Sequence, residues 1–220
     1  MSFVQALALG VDPGWRRLEA DVRSCGFREL ASELEDGAVQ THAYSTVGLE
    51  PGVDLVLFSL APSLDLLEER AAAVLRTGLG AWSEVRHSFL GIVQPSQYVK
   101  RATPQEQSLF SGERARYLVV YPFTKNAGWY LLPKEARQGI MNEHIRVGHS
   151  YPQVRQLLAH SFGIDDMDFL VAYETDDLAV FGDLVRELRS TEGRRSTVRD
   201  TPILTGIHRP LDEIGRLLGA

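Results

Sequence analysis

Arg116-Tyr-Leu-Val-Val-Tyr121-Pro-Phe-Thr-Lys125-Asn-Ala-Gly-Trp129-Tyr-Leu-Leu-Pro133 opens on an apolar run, breaks at a polar turn and ends on a proline suited to the first turn of a helix. The run from Arg116 to Tyr121 reads as a strand, and a long helix is expected from Pro133. Downstream, Asp168-Phe-Leu-Val-Ala-Tyr-Glu174 reads as a strand, Leu178 to Arg189 as a helix and Thr201-Pro-Ile-Leu-Thr-Gly-Ile207 as a final strand. A further strand near Tyr151 to Ser161 completes β-α-β-β-α-β, although Val154, Leu157 and Leu158 do not alternate cleanly.

The same order is read upstream. Phe3 to Leu9 alternates as a strand does, Asp12-Pro13 resembles an N-cap followed by a first-turn proline, and a helix is expected to about Leu34. Thr41 to Val47 and Asp54 to Leu60 read as strands around the Pro51-Gly52 turn. Asp65 to Leu79 reads as an amphipathic helix and Glu84 to Val93 as a fourth strand. The expected fold class is α+β: two ferredoxin-like (split βαβ) halves forming a dimeric α+β barrel with helices outside. The halves are placed at residues 1-102 and 116-220, joined by a polar, Pro- and Gly-containing linker at 103-115. The duplication rests on the order of elements, since no sequence repeat is visible.

Hydrophobic residues make up 44% and charged residues 24% of the 220, the balance of an ordinary globular protein able to bury a large core. A formal net charge of -6 argues against nucleic acid as a partner, because phosphate binding needs a basic face. Cys25 is the only cysteine, so no intrachain disulfide is expected and a reducing cytoplasm is the simplest location. The first residues lack a basic leader, and no run approaches the ~20 apolar residues of a membrane span.

The chemistry-bearing residues gather in the second half. Tyr121, Lys125 and Trp129 lie on one strand-loop unit, and the following helix places Ile140, His144, Val147 or Gly148, and Tyr151 along one face. A lone histidine on an apolar stripe is commonly a hydrogen-bonded core residue. Glu174, at the end of a buried-looking strand, is a candidate acceptor for its second N–H, the support that ligating histidines usually have. A phenol, an ammonium, an indole and an imidazole together suit an iron porphyrin better than a bare metal ion: imidazole ligates iron, and aromatic and cationic groups hold a flat, anionic macrocycle.

The motifs Tyr-Pro-x-x-Lys, Trp-Tyr-x-Leu-Pro, Glu143-His144 with Gly148 and Tyr151, and Gly163-Ile-Asp165-Asp166-x-Asp-Phe resemble the chlorite dismutase superfamily, which includes the coproheme decarboxylases. The resemblance covers most of residues 115-190, while the first half matches by length and element order. It implies haem in the C-terminal half, with His144 on the iron, and a homopentamer. It also makes Tyr121, Lys125 and Gln156 the catalytic candidates. Trp129 and Glu174 become candidate contacts to the cofactor or its ligand, and Arg101 and Arg189 candidate anchors for propionates, which guanidinium forks suit. Chlorite dismutases carry a distal arginine where this chain has Gln156. Arg155, adjacent on a strand, is expected to face the other way.

The activity implied first is peroxide-dependent oxidative decarboxylation of coproheme to haem b, with porphyrin and hydrogen peroxide as partners. A chlorite dismutase or haem peroxidase, and a non-catalytic haem carrier, are the alternatives. The short loop from Lys125 to Trp129 and the presence of Glu174 resemble the dismutases more. Arg194 stands where decarboxylases hold a propionate with serine.

Overall fold

In the computed structural model, which describes residues 1–35, 37–94, 98 and 109–220, the chain divides into two compact units, Met1–Val93 with Leu204–Ala220, and Gln94–Ile203. The first contains strands β1 (Ser2–Val11), β2 (Gln40–Glu50), β3 (Val53–Ala61) and β4 (Ser83–Val93), with helices α1 (Ala20–Leu34) and α2 (Leu64–Arg76). The second contains β5 (Tyr117–Lys125), α3 (Ala127–Leu131), α4 (Lys134–His149), β6 (Arg155–His160), β7 (Phe169–Thr175), α5 (Leu178–Arg189) and β8 (Thr197–Arg199). The chain then returns to the first unit as β9 (Leu204–His208) and α6 (Leu211–Leu218).

In the first unit the antiparallel order is β4-β1-β3-β2-β9. One side is covered by α1, α2 and α6, which bring Phe27, Leu30, Leu34, Val74, Ile214 and Leu218 onto Leu7, Leu9, Leu55 and Leu57. The helix expected from Asp12 to Leu34 is two pieces. Asp12 caps a 3-10 turn, Pro13–Arg17, through a 2.6 Å bond from Gly14 N, and α1 begins only at Ala20. The helix expected to reach Leu79 ends at Arg76, because Gly78 passes so close to α1 that a Cβ would lie 2.6 Å from the Gly26 Cα.

The second unit has antiparallel order β6-β7-β5-β8. Its fourth strand is the short β8, paired through Thr124 to Arg199 and Lys125 to Thr197. The expected C-terminal half of 116-220 is therefore corrected: the last strand and helix belong to the first unit. Leu204 is fully buried there, and Gly206 has no Cβ because Tyr44 would meet it at 2.7 Å. The Trp15 indole N–H also donates to the Leu218 carbonyl at 2.9 Å, tying the two ends of the sequence together. Arg101 and the part of the linker up to residue 108 lie outside the described residues. No helix among the described residues is long and apolar enough to cross a membrane.

Because Ile214 is fully buried against Phe27 and its neighbours, Ile214→Ala should cost the fold about 3 kcal/mol, the middle of the range for emptying a buried aliphatic site. Urea unfolding followed by circular dichroism measures this. A loss under ~0.5 kcal/mol, the size of an exposed-site effect, would mean that α6 is not part of that core.

Candidate functional site

Alternation along three strands builds one wall of a cavity in the second unit. From β5 it takes Tyr121, Phe123 and Lys125, from β6 Gln156, Leu158 and His160, and from β7 Phe169, Val171 and Tyr173. Register sets these side chains in rows: Gln156 beside Tyr173, Leu158 beside Val171 and Tyr121, His160 beside Phe169 and Phe123. Helix α4 contributes Met141, His144, Ile145 and Gly148, and α5 contributes Leu184, Leu188 and Arg189. The cavity measures about 380 Å³, within the span of about 300–1,000 Å³ that small-molecule and cofactor sites occupy.

His144 looks into this space. Burial, then the nearby Lys125 ammonium, push its imidazole down to about 4 against a weaker opposing pull from Glu143. The ring is therefore neutral near pH 7, with a lone pair free for a metal. No group of three or more His, Cys, Asp or Glu is placed to hold an ion among the described residues. A single neutral imidazole facing a cavity suits a haem iron, whose macrocycle brings donors of its own. Flat aromatic and aliphatic walls, and cations at Lys125, Arg189 and Arg194, fit the apolar ring and the carboxylates of a porphyrin.

Lys125 is held from three sides. Its Nζ donates to the Gly193 carbonyl at 2.8 Å and stands 4.7 Å above the Trp129 ring and 5.1 Å above the Phe123 ring. Burial and the Arg194 charge push it down to about 8, with Asp168 acting the other way. Trp129 is buried on α3, a helix that the sequence reading takes as loop, and the Asn126 side chain caps this helix by accepting from Trp129 N at 2.9 Å. Asp168 Oδ2 accepts from Lys125 N at 2.6 Å and from the Tyr130 hydroxyl at 2.7 Å, pinning both ends of this turn.

Tyr121 lies beside Tyr173, with ring centroids 6.2 Å apart. Burial first, then the Tyr173 hydroxyl, hold the Tyr121 phenol well above its ordinary value, so it is protonated throughout the physiological range.

The structure thus brings Tyr121, Lys125, Trp129, His144, Gln156 and Arg189 to one cavity. Glu174 is not among them. It occupies the opposite face of β7, fully buried, and its carboxylate accepts from Arg155 at 2.6 Å and Arg114 at 3.4 Å, so it does not support His144. Among the described residues no hydrogen bond reaches the His144 ring. Arg155 faces away from the cavity, as alternation requires. Sequence reasoning missed Met141, Tyr173 and Asp200 as wall residues. The period of two along β7 is a signal that could have found Tyr173.

A family model described as chlorite dismutase matches residues 23–209. The chain belongs to the chlorite dismutase family. Within it, the coproheme decarboxylase of Mycolicibacterium smegmatis is 31% identical over 189 residues, 85% of this chain and 80% of that protein. A point variant of the chlorite dismutase of Candidatus Nitrospira defluvii superposes with a TM-score of 0.91 at 28% identity, covering 100% of this chain and 96% of that one. That organism's enzyme in complex with imidazole gives 0.89 at 28% identity, covering 100% and 95%.

Two outcomes check this geometry. Glu174→Gln leaves the buried Arg114 and the half-buried Arg155 short of a counter-charge and should cost about 3 kcal/mol in stability, the low end for breaking a buried pair, with the axial-ligand spectrum of loaded protein unchanged. A shifted axial signature would restore a link to His144. For His144, a folded-state value below the ordinary 6.5 means that the unfolded chain takes up the proton more readily. Its contribution to the stability of ligand-free protein is therefore complete above about pH 6.5 and is lost as pH falls toward 4. An NMR titration of the ring should show a midpoint near 4, and a midpoint near 6.5 would contradict the burial.

Proposed function

We propose that this member of the chlorite dismutase family is a haem-dependent oxidoreductase that uses hydrogen peroxide to decarboxylate iron coproporphyrin III, coproheme, to haem b. The observation that carries the reading is Tyr121, a partly buried phenol on the cavity wall with Lys125 on the same strand face, roughly 13 Å further along by strand geometry. The 31% identical coproheme decarboxylase supports it. For each of two propionates, one peroxide and one proton are consumed, and a vinyl group, one carbon dioxide and two waters are formed. Two electrons leave the substrate and reduce the peroxide.

When bound, the iron porphyrin supplies peroxide activation and a sink for single electrons. His144 would hold the iron through its neutral imidazole. Lys125 and Arg189 would hold carboxylates, Lys125 near enough to its own protonation midpoint to pass a proton as well. Trp129 and Phe123 keep water from the Lys125 ammonium and fix its direction. Gln156 offers a carboxamide to an oxidant without a fixed positive charge. Tyr121 is a phenol at working pH, so it can give up a proton and an electron together.

Decomposition of chlorite is the second reading, favoured by the structural neighbours. Against it stands the residue that β6 turns into the cavity: Gln156 is neutral, and the neighbouring Arg155 is committed to Glu174 on the far face. The finer architecture belongs to the same proposal: each unit is taken as a ferredoxin-like half, supported by the orders β4-β1-β3-β2 and β8-β5-β7-β6.

The test is purified protein loaded with iron coproporphyrin III, titrated with peroxide and followed by product mass. Wild type should yield haem b. Tyr121→Phe removes only a hydroxyl and should keep the porphyrin bound while slowing decarboxylation at least ~10³-fold, about 4 kcal/mol of barrier. Rapid, sustained oxygen evolution from chlorite by wild type, with decarboxylation indifferent to Tyr121→Phe, would overturn the proposal in favour of the dismutase reading.

A further inference from the structure

Near Tyr121 the cavity wall carries a carboxylate that the proposed reaction does not use. Asp200 follows β8, and its Oδ2 accepts from Arg194 Nη1 at 2.5 Å and lies 3.6 Å from Arg189 Nη2. The three side chains come from three places, the end of α5, the 3-10 turn Glu192–Ser196 and the segment after β8, and all three line the cavity. The Asp200 side chain is 20% exposed, against 53% and 40% for Arg189 and Arg194, so the carboxylate is the more enclosed member. Lys125 adds a third cation to the same wall, close enough to Arg194 for the two charges to repel.

Guanidinium groups facing a cavity are suited to a ligand's carboxylates. Here an internal carboxylate already occupies the pair. It leaves the wall positive overall, with three cations against one anion, but lowers its capacity for further negative charge. The charge of Asp200 also reaches Tyr121: after burial and Tyr173, it helps hold the phenol protonated, and Arg189 opposes it.

We propose that Asp200 is a specificity-determining residue, an internal carboxylate that holds the Arg189–Arg194 pair and sets how strongly the cavity takes porphyrin carboxylates beside Tyr121. The inference rests on the reading that the ligand is a carboxylate-bearing iron porphyrin. It predicts that the carboxylates lying at this end are those a four-propionate porphyrin has and a two-propionate porphyrin lacks.

Binding alone tests it, without peroxide. Dissociation constants for iron coproporphyrin III, with four propionates, and iron mesoporphyrin IX, with two propionates and saturated ethyl groups in place of the others, are measured by absorbance titration. Asp200→Asn keeps the shape and removes one negative charge. It should raise the preference for the four-propionate porphyrin about tenfold, as expected for one unit charge a few ångströms away in a partly solvated site. The gain should shrink as salt is added. Arg194→Gln should move the preference the opposite way, and supplies an independent measurement if Asp200→Asn melts early. A preference unchanged within twofold in both variants, or lowered by Asp200→Asn, overturns the proposal. The outcome is separable from that of the reaction: protein that shows the shifted preference but forms no vinyl product keeps this role for Asp200 and loses the decarboxylase assignment.

Discussion

Lys125 has to keep a positive charge inside a mostly apolar wall, and the second unit is arranged around that requirement. Desolvating an ammonium is costly, and here the cost is met by the Gly193 carbonyl and by the faces of Trp129 and Phe123. Each partner fixes something else. The carbonyl ties the 3-10 turn after α5 to β5, and Trp129 requires α3, which needs Asn126 as its cap. Asp168 then secures the turn from outside through Lys125 N and the Tyr130 hydroxyl. The ammonium in turn acts on His144, adding to burial in keeping the imidazole neutral. One charge placement therefore orients the loop and helps keep the imidazole lone pair available.

The unit carries a second buried charge network, and strand alternation keeps the two apart. On one face of β6 and β7, Gln156 and Tyr173 meet the cavity; the adjacent pair in the register, Arg155 just before Gln156 and Glu174 just after Tyr173, meet each other on the opposite face. Arg114 completes that set from the segment before β5. Such a set is sensitive to loss of Glu174, because the buried Arg114 is then left charged in a poorly solvating interior. Its separation from the cavity lets the unit hold a structural ion pair without adding an anion beside His144.

Much of this was legible in residue order. Period-two alternation from Arg116 and period-3.6 spacing after Pro133 are strong local signals, and β5, α4, β7 and α5 lie close to where they were expected. The same alternation correctly turned Arg155 away from Gln156. What could not be read was long-range. Whether Leu204–His208 pairs within the second unit or returns to β2 depends on Gly206 fitting against Tyr44 and on α6 reaching Phe27, and neither contact leaves a local pattern. Glu174 misled for a related reason. A carboxylate at a strand end was assigned to His144 on chemical suitability, while in the structure it meets Arg114 and Arg155, 60 and 19 residues away, across a pairing that depends on strand register.

The raised value of the Tyr121 phenol constrains how it could take part in the proposed reaction. At neutral pH it does not stand as a phenolate, so electron loss alone would leave a strongly acidic phenol cation in a site that solvates charge poorly. Electron and proton must leave together. Tyr173 is the adjacent hydroxyl, but burial raises its own value too, so it can relay a proton and not store one. The charged groups facing the same cavity are Asp200, held by its arginines, and Lys125, whose amine is mostly protonated near pH 7 and so is placed to give a proton and not to receive one. After burial, the Lys125 charge helps keep the His144 imidazole neutral, so a proton leaving Lys125 would be felt at that ring. The placement of that one ammonium therefore couples the oxidisable wall of the cavity to the wall that would carry the iron.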